Sequence, residues 1–257
     1  MRTLGRVVLG LIYLFLIGPF LVIIAAAFHG GDTLTFPPHN LSFRWIIAVI
    51  ENDDFQSDFL LSVALAVAAT FAALALGIPA AYALIRHRPR GAETIRGLLS
   101  SPVVVSGLVI GLALLHYVVV PLNLPVMVAL FVAHTAILLP YAVRVVSASL
   151  ANLRVDIEEA AVLLGASRLK MFRSIVLPNI RNGVLAAAIL SFITSFNEVP
   201  ASLFLTGPGV HTLPVEMMLS MELVYDPSIA ALSTLLTVAT LVIVFAAERL
   251  LGLSRYV

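Results

Sequence analysis

Few side chains in this sequence are able to do chemistry, because 61% of its residues are hydrophobic and only 11% are charged. Those few concentrate in two places. One is Ser195-Phe196-Asn197-Glu198-Val199-Pro200, where a carboxylate and an amide interrupt an apolar run. An ionisable group in such a run is costly and ordinarily faces a cavity or a partner. Pro200 removes a backbone donor and breaks a regular helix nearby. Asn197 and Glu198 could therefore coordinate an ammonium group or line a gate; the equal alternative is a structural hydrogen bond or ion pair with a neighbouring span or a second subunit. The other place is the polar segment Asp156 to Pro178, DIEEAAVLLGASRLKMFRSIVLP, which separates two apolar runs and offers a surface to a soluble partner. His116 and His134 also lie in apolar runs, where an imidazole is expected to hydrogen-bond helix to helix rather than to bind a ligand.

Several chemistries are excluded by what is missing. Without G-x-x-x-x-G-K-[ST] the chain binds no ATP through a phosphate loop, and without H-E-x-x-H, G-x-S-x-G or paired carboxylates on one span it shows no catalytic group. The lack of cysteine rules out disulfides and thiolate metal sites, no metal or other cofactor is expected on the chain, and a net charge of +1 offers no platform for nucleic acid. Acids are not relayed across several spans and no internal repeat is evident, which weakens an ion-coupled secondary carrier. A passive channel stays open on these grounds alone.

The elements that must position these residues are membrane spans. A mean hydropathy of +1.08 lies far outside soluble composition and marks a single integral membrane domain in the lipid bilayer. Six runs are long enough to cross about 30 Å of hydrocarbon as helices: 7–28, 59–85, 98–120, 126–146, 183–205 and 228–247. The first could instead be a signal peptide, but it exceeds the roughly 7–15 residues of a signal core and is expected to be retained. Alanines at 64, 68, 69, 72 and 73 suit close packing of the second span, and Pro79 should bend it. Between the first two spans, Phe43, Trp45, Ile46 and Ile47 predict a short interfacial helix, followed by a solvated acidic face at Glu51, Asp53, Asp54 and Asp58. Residues 206–227 read as a Gly- and Pro-containing link. Of the fifteen Lys and Arg, all but Arg44 fall on one side of this arrangement. The positive-inside rule makes that side cytoplasmic, with both termini and the loop 147–182 on it.

Within that loop, Asp156 and Glu159 look like an acidic capping box, after which Ile157, Ala160, Ala161 and Leu164 recur at helical spacing. Gly165 stands where a left-handed helix end favours glycine, and Ser167 is placed to cap a second helix that runs from Arg168 until Pro178. Helix, tight turn, helix is the expectation.

Glu159, Ala160, Ala161, Gly165, Ile175, Leu177 and Pro178, at these spacings, resemble the EAA motif of permease subunits of binding-protein-dependent ABC importers. The resemblance implies an all-α type I permease fold with six transmembrane helices and a cytoplasmic coupling helix-turn-helix, in which Glu158, Glu159, Ala160, Ala161, Leu164, Gly165 and Ala166 meet a separate ATPase subunit. ATP and Mg would sit on that partner and not on this chain. A second permease subunit and a periplasmic substrate-binding protein would complete the complex in a bacterial inner membrane. The stretch from Phe196 to Met221, with Gly207-Pro208-Gly209 and Leu213-Pro214, is similar to the polyamine (spermidine/putrescine) branch, where an acid in the region of Asn197 and Glu198 fits a cationic solute. That branch also implies opines or aminophosphonates as alternatives.

Overall fold

The computed structural model describes residues 2–33, 35–87, 89–223 and 226–251. Arg88 and Arg255, counted above among the cytoplasmic charges, lie outside them. Every regular element described is helical, as a chain this apolar requires, because only helices and closed barrels satisfy all backbone polar groups in lipid. In order they are α1 (Arg2–Ala27), α2 (Arg44–Glu51), α3 (Asp53–Tyr82), α4 (Ala92–Val104), α5 (Gly107–Leu114), α6 (Val120–Leu122), α7 (Val126–Ala151), α8 (Val155–Leu163), α9 (Arg168–Met171), α10 (Leu177–Asn179), α11 (Arg181–Phe196), α12 (Leu213–Leu223) and α13 (Ser228–Leu251). Three π-helical turns, Ala83–His87, Leu115–Val119 and Phe172–Val176, link some of them.

Among the described residues, three helical rods are long and apolar enough to cross a membrane: Val8–Ala27, Asp53–His87 and Val126–Ala151. Two bent helix pairs are also apolar enough to cross if each is taken as one span. The expected span 98–120 is broken at Val105 and Ser106, both with extended ψ, so that Ala92–Val104 and Gly107–Leu122 meet at 94°. The expected span 183–205 stops as an α-helix at Phe196, and its start bends by 70° from Arg168–Asn179. Residues 197–201 are irregular, with turns at 197 and at 200–201, followed by a 3-10 turn at Ser202–Phe204. The last run, Ser228–Val242, is an apolar helix of shorter described length. Residues 206–227, read as a link, contain α12 instead. Hydropathy averages over such interruptions, which is why a sequence window shows them as continuous spans.

The chain divides into two compact units, residues 1–57 with 216–257 and residues 58–215. In the first, α1 and α2 pack on α13. The predicted interfacial helix is α2, and its Trp45 Nε1–H donates to the Gly31 carbonyl at 2.9 Å while Phe28 meets Phe43 edge to face at 5.3 Å. In the second, α3 lays Leu65, Ala66, Ala69, Ala73 and Ala81 inward, and Ala69 and Ala73 pack with Leu138 and Ala142 of α7. Small side chains let helices approach where lipid offers no hydrophobic driving force between them. Ala64 and Ala68, expected on that face, are exposed instead, and Asp58, expected among solvated acids, is buried on α3. Pro79 lies inside α3, and the irregularity appears after it as the π turn at Ala83–His87.

Candidate coupling site

The segment 155–180 folds as two short helices around a glycine turn, and its local chemistry explains each step. Arg154, in extended conformation, is the N-cap residue of α8, so the capping box expected from Asp156 and Glu159 does not form. Asp156 pairs with Arg154 instead, and that guanidinium holds its carboxyl below the usual carboxylate range. A carboxylate in the first turn also suits the helix dipole.

The helix ends in a Schellman motif: the Gly165 N–H donates to Val162 O at 2.9 Å and the Ala166 N–H to Ala161 O at 3.0 Å. Gly165 has φ +85°, a left-handed conformation that costs any side chain about 1–2 kcal/mol. Ala166 then packs against the core that includes buried Ala161. Ser167 caps the second helix by accepting the Lys170 N–H at 3.3 Å, as expected. That helix continues through the π turn and α10 to Asn179, one residue beyond Pro178.

What the turn presents is an apolar tip. Leu163 is 87% exposed and Leu164 90% exposed, and Glu159, Ala160, Val162 and Gly165 are exposed around them. Two leucines exposed at the apex of a tight turn form an apolar surface of the kind that marks interaction sites. Beside it lies a groove of about 900 Å³, lined by Tyr82, His87, Glu159, Val162, Leu169 and Phe172. Leu163 and Val162 were missed in the sequence; helical spacing assigned the apolar face to Ile157, Ala160, Ala161 and Leu164, but only Ala161 of those four is buried.

Glu158 faces the other way. It is 5% exposed, and its carboxylate receives the Arg86 guanidinium at 2.7 Å and the Tyr82 hydroxyl at 2.9 Å. Arg86 also donates to Leu153 O at 2.9 Å. Of the coupling residues named above, Glu159, Ala160, Leu164 and Gly165 thus form the tip, whereas Glu158, Ala161 and Ala166 fasten the loop to the spans. A shared core does the same: Ala161 and Met171 pack with Leu84 of the π turn after α3 and with Val146 and Leu150 of α7.

The second locus lies at the end of α11. Asn197, exposed, donates to Ile193 O at 2.9 Å, and the half-buried Glu198 accepts the Ala201 N–H through Oε1 at 3.0 Å. The Ser202 hydroxyl donates to Glu198 O at 2.9 Å, so its oxygen is left to accept from His134 Nε2 at 3.0 Å. His134 Nδ1 lies 2.7 Å from the Ser195 hydroxyl, in hydrogen-bond contact. This imidazole, 1% exposed, bridges α7 to both sides of the break, in the role expected of it. His116 does not share that role: it is exposed, with its ring edge on Tyr117. The break is seated on Gly107 and Gly111 of α5, where an added Cβ would come within 2.8 Å of Glu198 Oε1 and 2.3 Å of Ala201 O respectively.

Residues 73–254 match the family model described as "Binding-protein-dependent transport system inner membrane component". The chain belongs to this family. As a permease subunit of an ABC importer it is itself non-catalytic and works with a separate ATPase. It is 32% identical to the putrescine transport system permease protein PotI of Escherichia coli K12, covering 98% of this chain and 92% of that one. It is 31% identical to the spermidine/putrescine permease PotC of the same organism, over 92% and 89% of the two chains. Its permease fold is like that of a bacterial ABC transporter involved in the import of the acidic polysaccharide alginate, with TM-score 0.65, 16% identity and 96% and 95% coverage. The MetNI methionine ABC transporter gives TM-score 0.60 and 20% identity, over 75% of this permease and 92% of that chain. The subunit is a multi-pass inner-membrane protein of type I permease fold.

Proposed function

We propose that this permease moves a polyamine or related small organic cation inward, with the tip at Glu159–Gly165 docked in an ATPase subunit. The observation that carries the solute reading is likeness to putrescine and spermidine/putrescine permeases along nearly the whole chain. In this reading six helices cross the membrane, the last being α13, both termini and the coupling loop are cytoplasmic, and a second permease subunit, related or identical, encloses the path. Two ATPase subunits grip the coupling tips, and a periplasmic binding protein delivers solute to the outer mouth. Closure of the ATPases turns the path outward and hydrolysis resets it.

Asn197 and Glu198 line the path in this account, at the break where backbone leaves the helix. An acid there attracts an ammonium group. Import of another small solute, such as an opine or aminophosphonate, is the second reading, favoured by one observation: Glu198 Oε1 already accepts the Ala201 N–H.

The test is uptake of radiolabelled putrescine into vesicles carrying the complete complex, with and without ATP. Uptake that requires ATP and falls several-fold more than complex assembly in Glu198→Gln is the expected result. ATP-independent uptake would replace the importer by a channel or ion-coupled carrier, and equal loss of uptake and assembly would make Glu198 structural.

A further inference from the structure

The inference concerns the inward side of the coupling loop and rests on the importer reading above. Glu158 stands one residue before the exposed tip, yet its side chain is only 7% exposed and that of its partner Arg86 only 10%. Arg86 sits in the π turn Ala83–His87 that ends α3, so the pair ties α8 directly to a helical rod that begins at Asp53. The contact has four strands. Arg86 Nε and Nη2 both reach Glu158 Oε1 at 2.7 Å, Tyr82 donates to Oε2 at 2.9 Å, and Arg86 holds Leu153 O.

Tyr82 also touches the second arm of the loop, through Phe172 edge to face at 5.1 Å. Phe172 opens the π turn Phe172–Val176, so Tyr82, the residue just before the π turn Ala83–His87, touches both arms of the coupling loop. π turns interrupt the regular ladder and recur at functional positions. A buried, hydrogen-bonded charge pair resists being pulled apart, because separation strands a charge away from water.

We propose that Tyr82, Arg86 and Glu158 are positioning residues that transmit displacement of the coupling loop to α3. Motion of the tip is not absorbed in the turn, since Glu158 and Phe172 carry it from both arms into Tyr82 and Arg86. The ion pair with its tyrosine works as a rigid link, whereas the apolar contacts around it, Ala161 with Leu84 and Met171, can slide.

The test reads the far end of α3 and needs no knowledge of the solute. The chain has no cysteine, so Ser57→Cys in the first turns of α3 gives this subunit a single thiol, read on its own band. Its rate of labelling by a membrane-impermeant maleimide is compared in the complete complex with and without ATP and vanadate. A nucleotide-driven change in rate is expected in the complex carrying Ser57→Cys alone. Glu158→Gln should shrink that change roughly fivefold to tenfold, the size of effect coupling residues have, while the ATPase still co-purifies. Tyr82→Phe should give a smaller loss, and the exchange Arg86→Glu with Glu158→Arg should restore most of the change. A response in Glu158→Gln as large as without it would overturn the link and leave the importer reading standing. So would a complex that hydrolyses ATP with no change at position 57, or assembly lost in Arg86→Glu and in Glu158→Arg alone and not recovered by the exchange. A chain that recovers no ATPase at all would overturn the importer reading itself.

Discussion

Glu158 and Glu159 are adjacent and identical in type, and their surroundings give them opposite duties. Glu159 faces out beside Leu163 and Leu164, while Glu158 turns inward onto Arg86 and Tyr82. A helix places consecutive side chains about 100° apart, so one carboxylate at the tip and the next in the joint follows from the geometry of α8. Removing one partner of a buried pair leaves the other charge uncompensated and typically costs about 3–5 kcal/mol. Arg86→Met should therefore lower the unfolding midpoint of the purified subunit clearly, whereas Arg154→Met, which breaks the exposed pair with Asp156, should leave it nearly unchanged, since exposed pairs contribute about 0–1 kcal/mol. Thermal unfolding of both variants in one detergent checks the contrast; equal shifts would refute it.

Among the elements, the bent pairs depend on close backbone approach. α5 carries Gly107 and Gly111 one turn apart, and both face the 198–201 turn. A Cβ at Gly111 would meet a backbone carbonyl oxygen, which cannot swing aside as a side chain end can. Gly111→Ala should cost about 1–3 kcal/mol through overpacking, with reduced yield of folded subunit in gel filtration, whereas Gly97→Ala, where nothing lies within 4 Å, should be harmless. The same region shows how far the sequence could be read. The helix-turn-helix of the coupling loop was legible because Gly165 and Ser167 act through their own backbone neighbours. The bend at Ser106 was not, since Val103, Val104 and Val105 before it and Gly107 to Leu115 after it form one hydropathic run. Arg86 was counted as a cytoplasmic charge in a loop; its partner is Glu158, more than seventy residues later, a pairing that no local spacing reveals. The turn after Phe196 was anticipated from Pro200, but its support from His134, Ser195 and Ser202 arises only once α7 and α11 are packed together.

For the whole molecule, the proposed function makes the tip at Glu159–Gly165 the place where energy from the partner ATPase enters, since the chain holds no phosphate loop of its own. In the proposed coupling, its apolar leucines, the Schellman turn that raises them and the buried joint behind them form one path from a partner's surface into α3. The path depends on Gly165 at φ +85°, which a proline ring locked near −65° cannot adopt, and on the Gly165 N–H that proline lacks. The most direct measurement is mild-detergent co-purification of this subunit from its native membrane, with ATP hydrolysis assayed on the eluate, for the unaltered chain and for Gly165→Pro. A P-loop ATPase should come down with the unaltered chain and be lost, or hydrolyse ATP without stimulation by solute-loaded binding protein, in the Gly165→Pro complex while the spans stay inserted. Recovery of the same ATPase with undiminished stimulation in Gly165→Pro would contradict the assignment of the coupling site.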